Sequence, residues 1–264
     1  MEQKWHEKIM QYCEDYNIPL YYLAEILKNP KVVPMIRGIS FEFTVFEKLR
    51  NILDSRKWDV IKPNINAQLN KSDVDILIRH KMSGKEILVE CKLAKKEGCK
   101  ISKNKAFISV KCMRSRTLGT EMVKNLAPKW GVTEKMLAVH NDQYLPTNFD
   151  FVITSIGNTF YRTDEKGIFL FQPDEKEMLF LRNFSDKNLK EQTFHQLYIA
   201  KSSEISIVKQ NKIKCTRRGC SKKENCGFIP NYPIIEFSLN SLIPINNWHS
   251  LENCEKLFTE FICI

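Results

Sequence analysis

The stretch SDVDILIRHKMSGKEILVECKL, residues 72–93, decides how this chain reads. Two β-branched, apolar runs flank Met82-Ser83-Gly84. Residues 72–80 and 86–93 are therefore predicted as the two strands of a β-hairpin. Asp75, Glu90 and Lys92 stand inside those apolar runs. Period two along a strand puts Glu90 and Lys92 on one face, and the pairing strand brings Asp75 beside them. The intervening Cys91 side chain is expected to point into the core. An acid, one spacer and a lysine is a weak pattern alone, for it recurs at Glu2–Lys4, Asp164–Lys166 and Asp174–Lys176. The apolar setting distinguishes residues 90–92. A cross-strand salt bridge on a half-exposed sheet is the competing reading. It fits poorly, because an exposed hairpin would not be so apolar on both sides of its charges.

Two facing carboxylates repel unless a cation lies between them. Oxygen ligands with few neutral nitrogens favour Mg²⁺ or Mn²⁺. A lysine alongside can hold or help deprotonate a water, or stabilise negative charge developing on a phosphorane. The chemistry that fits is metal-assisted hydrolysis of a phosphodiester. Asp75, Glu90 and the Cys91 backbone carbonyl are the expected metal ligands.

Upstream of the hairpin, residues 3–28 read as one or two helices parted near Pro19, and Asn29-Pro30 closes them. Arg37-Gly38 opens GISFEFTVFEKLRNIL, whose Ile39, Phe43, Phe46, Leu49 and Leu53 form one helical stripe. Residues 58–68 look extended. Downstream come a strand at 106–113, a helix over 117–126 and an apolar strand, FDFVITSIG, at 149–157. Residues 158–264 offer short strands (GIFLF, EMLFLRNF, PIIEFSL) and a final helix, LENCEKLFTEFI.

Gly38-x-x-x-Glu42, SDVDILI and ILVECK together resemble the PD-(D/E)XK nuclease superfamily. The resemblance covers about residues 38–157. It implies an α/β fold with a restriction-endonuclease-like core: helix, three-strand meander, helix, strand. Residues 1–37 would be N-terminal helices. Residues 158–264 would be a β-rich, basic elaboration that reads the DNA target. Carried over, Asp75 and Glu90 are metal ligands and Lys92 is the catalytic lysine. Glu42 is an auxiliary acid on the core helix, whereas Glu47 reads as an ordinary surface glutamate. Val74 stands where the family usually has proline. Asp73 is a competing acid, but in members of the polar-x-Val-Asp-apolar type the second acid is the ligand. The chain is most similar to a type II restriction enzyme. That implies Mg²⁺-dependent cutting of double-stranded DNA, a homodimer on a palindromic target, and a cognate DNA methyltransferase. A structure-selective repair, recombination or junction-resolving nuclease is the alternative. A DNA-binding protein with a decayed nuclease core is the non-catalytic one.

Composition agrees with a polyanion partner. The chain has 264 residues, 43% of them hydrophobic, which suffices for a sizeable core and excludes global disorder. Its formal net charge is +10, and the charge is concentrated. Residues 92–116 hold nine basic residues against one acid, and residues 209–223 hold seven against none. Lys111, Arg114, Arg116, Arg217 and Arg218 are the expected DNA contacts from these runs. No apolar run approaches the roughly 18 residues of a membrane span, and the first residues lack a signal-peptide core. The expectation is a cytoplasmic protein of a prokaryote or phage, without a membrane partner. No phosphate loop, H-E-x-x-H pair or nucleophile triad is present.

The nine cysteines are odd in number and lack a framework spacing, so free thiols or a metal site are expected over disulfides. Cys215, Cys220 and Cys226 read as free thiols by default. Zinc, completed by His249 or Cys254, is the other reading. Cys13 with those three loosely resembles the one-early, three-late pattern of a CRISPR-associated nuclease group that carries an iron–sulfur cluster. The spacing differs.

Overall fold

The computed structural model describes residues 4–63 and 74–263. Helices α1 (Trp5–Asp15), α2 (Leu23–Lys28) and α3 (Val33–Ile52) lead into strands β1 (Trp58–Ile61), β2 (Ile76–His80) and β3 (Glu86–Cys91). Strands β4 (Ala94–Ser102) and β5 (Lys105–Val110) follow, then α4 (Thr120–Leu126), α5 (Glu134–Val139) and β6 (Phe151–Ser155). Next come β7 (Tyr161–Thr163), β8 (Phe169–Phe171), α6 (Glu175–Leu181), α7 (Leu189–His195) and β9 (Leu197–Lys201). The chain closes with β10 (Ile234–Ser238), β11 (His249–Ser250) and α8 (Cys254–Ile262).

This is a mixed α/β protein. Its main sheet has six strands in the order β1-β2-β3-β6-β9-β11. Among the described residues, only the β3–β6 pair of this sheet is parallel. The three-stranded sheet β10-β5-β4 and the β7–β8 ribbon are antiparallel. Residues 158–264 thus supply β9 and β11 to the main sheet and β10 to the smaller one. All five residues of β6 are buried, as a central strand covered on both faces requires.

Period two sorts that strand between two cores. Phe151 and Ile153 face the helical layer, where Phe41, Val45 and Leu49 of α3 meet Ile76, Ile78, Ile87, Val89 and the α8 residue Phe258. Val152 faces the other way, into a core shared with Ile108 and Phe237 of the small sheet and with Trp248. Gly157, just past β6, lets α7 close over the strand end. A Cβ there would stand 2.7 Å from the Phe194 nitrogen.

The predicted hairpin forms, but β2 begins at Ile76 and leaves Asp75 one residue before it. Three other expectations are corrected. Helix α3 starts at Val33 with a proline in its first turn, so Gly38 lies inside it. Its buried stripe is Phe41, Val45 and Leu49, while Ile39 and Phe43 are exposed. Residues 177–184, expected as a strand, instead begin inside α6, which spans Glu175–Leu181. A capping box starts that helix: the Asp174 carboxylate accepts from the Glu177 N–H, and the Glu177 carboxylate accepts from the Asp174 N–H. Residues 94–102 form a strand that the sequence did not suggest. Among the described residues, no helix is long and apolar enough to cross a membrane.

Candidate active site

The hairpin register builds the site. Ile76 pairs with Val89 in the antiparallel β2–β3 ladder, and one further step sets Asp75 opposite Glu90. The Cys91 N–H donates to Asp75 Oδ2 at 2.7 Å and pins that carboxylate against β3. Glu90 is buried, and Lys92 Nζ lies 2.6 Å from Glu90 Oε1. Cys91 turns its side chain into the helical-layer core, as alternation requires. Asp75, Glu90 and Lys92 therefore converge. Asp73 lies outside the described residues.

The electrostatics are those of crowded acids. Burial and the facing Glu90 carboxylate push the Asp75 carboxyl up to about 8, against opposition from Lys92 and the Cys91 N–H. Glu42 adds a smaller push in the same direction. Burial, Asp75 and Glu90 also hold the Cys91 thiol well above its ordinary value. Burial works against charge on Lys92, yet Glu90, Tyr144 and Asp75 together outweigh it and hold the ammonium well above its ordinary range.

Two partners were not legible in the sequence. Tyr144 donates its hydroxyl to Glu90 Oε1 at 3.0 Å, and its ring lies 5.4 Å from Lys92 Nζ. Lys62, just beyond β1, lies 2.6 Å from Glu42 Oε2. Both contacts span long stretches of chain that no local spacing encodes. Glu42 is thus brought near the acids but carries its own counterion.

The expected DNA contacts divide into two groups. Lys111, Arg116 and Arg218 are exposed. Arg114 is half-buried: it donates to the Gln143 carbonyl at 3.1 Å and to Asn148 Oδ1 at 2.8 Å, and lies over the Tyr144 ring at 4.4 Å. Arg217 pairs with Asp142. Burial opposes ionisation of Asp142, but hydrogen bonds from Arg217 and Asn231 hold its carboxyl below the ordinary value. A cleft of about 820 Å³, lined in part by Lys214, Arg217, Arg218 and Tyr232, lies beside the second basic run. It includes none of the three clustered side chains.

Cys215, Cys220 and Cys226 converge, but not on either expected fourth partner. His140 joins them. His249 pairs with Ile199 in the main sheet, and Cys254 packs in the helical-layer core. Cys13, on α1, is not in the group. No protein-family model, curated protein or solved structure matches the chain.

Proposed function

We propose that the protein is a Mg²⁺-dependent endonuclease acting on double-stranded DNA, with Asp75, Glu90 and Lys92 in the roles that the PD-(D/E)XK resemblance implies. The observation that carries this reading is the opposition of Asp75 and Glu90 across β2–β3, with Lys92 on Glu90. The residues fit a divalent ion: an acid whose proton is retained up to about 8 by burial and by a facing carboxylate is a site that a cation would relieve. Asp75, Glu90 and the Cys91 carbonyl would hold it. Bound there, Mg²⁺ would activate a water and offset phosphate charge.

The chain's own groups divide the remaining work. Lys92 stays charged beside Glu90 and stabilises negative charge on the scissile phosphate. Tyr144 fixes the Glu90 carboxylate. Glu42, paired with Lys62, supports the acids from α3. Lys111, Arg116 and Arg218 contact the DNA backbone. One site per chain cuts two strands most directly as a homodimer. A methyltransferase that protects the host sequence would then accompany it.

The test is digestion of supercoiled plasmid with Mg²⁺ and with EDTA. Discrete fragments are expected with Mg²⁺ alone, and Lys92→Ala should reduce cutting by about 100-fold or more. Inactive wild type, or full activity in the variant, overturns the reading. Preference for a branched substrate over linear duplex would assign the site to repair or recombination instead.

A further inference from the structure

Away from the carboxylates, one buried group of side chains among the described residues brings metal-ligand atoms together. We infer that His140, Cys215, Cys220 and Cys226 form a structural Zn²⁺ site. The inference does not depend on the nuclease reading. All four residues are buried, and their ligand atoms lie within 4.8 Å of one another. Tetrahedral zinc, with Zn–S near 2.3 Å, holds its ligands about 3.8 Å apart. The group therefore needs only a modest contraction around one ion. Three thiols alone would be an unremarkable apolar cluster, because free cysteine packs as a small hydrophobe.

The histidine decides between the two. Gln143 Nε2 donates to the Ile229 carbonyl at 2.9 Å, which leaves Gln143 Oε1 as an acceptor. That oxygen meets His140 Nδ1, so Nδ1 carries the proton and Nε2 keeps its lone pair. Nε2 is buried and has no hydrogen-bond partner among the described residues. A buried polar atom left in that state is destabilising. A metal ion on Nε2 removes the penalty, and the Nδ1–H to amide bond is the outer support that metal-bound histidines usually have. The ring is also held flat on Phe228, with centroids 4.3 Å apart and planes 9° apart.

The cysteine loop is shaped for the same purpose. The Arg217 N–H points at Cys215 Sγ at 3.4 Å, a contact that favours thiolate. Gly219 takes φ +91°, a left-handed turn that delivers Cys220 to the group and that side chains rarely adopt. Zinc with three thiolates and a neutral histidine carries one net negative charge. The basic residues Arg217, Arg218, Lys222 and Lys223 surround it in sequence and offset that charge. The ion would tie the second basic run to residues 140–144, the segment that ends in Tyr144.

The test is metal analysis of the full chain purified without added metal, followed by Co²⁺ exchange. About one zinc per chain is expected. The Co²⁺ form should show the intense visible bands of a tetrahedral, thiolate-bound ion. His140→Ala and Cys220→Ser should each lose the metal and melt lower. Cys112→Ser, a buried thiol outside the group, should keep it, and His140→Cys should retain zinc through a fourth thiolate. Iron in place of zinc, or a metal-free wild type whose thiols all react with a thiol reagent once unfolded, overturns the site. Zinc retained in both His140→Ala and Cys220→Ser does so as well.

Discussion

Asp75 governs how the metal-free protein responds to pH. Burial and the Glu90 carboxylate push its carboxyl up to about 8, whereas an unfolded aspartate ionises near 3.9. Between those values the folded chain keeps a proton that the unfolded chain has released. The stability tied to that proton is complete below about pH 4 and is lost as pH rises through about 8. Without added Mg²⁺ the wild type should therefore melt lower at about pH 8.5 than at about pH 5, and Asp75→Asn should remove that part of the slope. A tenfold preference for the proton is worth about 1.4 kcal/mol, so the difference should reach a few degrees. If Mg²⁺ binds Asp75 as proposed, it requires the ionised carboxylate and should raise the melting temperature more at the higher pH. Parallel curves for wild type and Asp75→Asn would remove the crowded-carboxylate account.

At the level of elements, α6 tests how local signals set structure. Asp174 and Glu177 cap one another, and Glu177 also lies 2.6 Å from an Arg162 nitrogen. Asp174→Ala should lose about 1 kcal/mol, the usual worth of an N-cap. Glu177→Ala should lose more, about 2–3 kcal/mol, because it strands the half-buried Arg162 as well. Urea unfolding measures both, and equal losses would show that the ion pair adds nothing. The same helix shows what the sequence could and could not convey. A short apolar run such as EMLFL fits a strand or a buried helix equally, and the deciding sign was the Asp174-x-x-Glu177 box. Pro34 likewise marked an earlier start for α3 than Gly38 did. The hairpin was legible because period two and a turn specify register without help from the rest of the chain. That register sets Asp75 opposite Glu90, so the convergence of the candidate site's two acids was legible too. His140 and Tyr144 were not. They meet Cys215 and Glu90 only after the sheet has closed, and their own neighbourhood in the sequence carries no mark of it.

Over the whole molecule, the two basic runs differ in how their charges are used. Lys111, Arg116 and Arg218 face solvent, while Arg114 and Arg217 hold residues 142–148 through Gln143, Asn148 and Asp142. Binding to a phosphate backbone releases counterions, so affinity falls with salt by about 0.9 log units per contact for each tenfold rise. If the exposed set contacts DNA, Lys111→Ala, Arg116→Ala and Arg218→Ala should each shallow that slope by about one contact and leave melting unchanged. Arg114→Ala and Arg217→Ala should instead lower stability by about 1–3 kcal/mol, since the Gln143 carbonyl loses the Arg114 donor and Asp142 Oδ1 loses the Arg217 donor. Anisotropy titrations of a short duplex across a salt series, in EDTA to prevent cutting, separate the two classes. Unchanged slopes in all three exposed variants would mean that DNA lies elsewhere on the protein, and the positive charge of these loops would have to be explained by the cysteine cluster that the second run encloses.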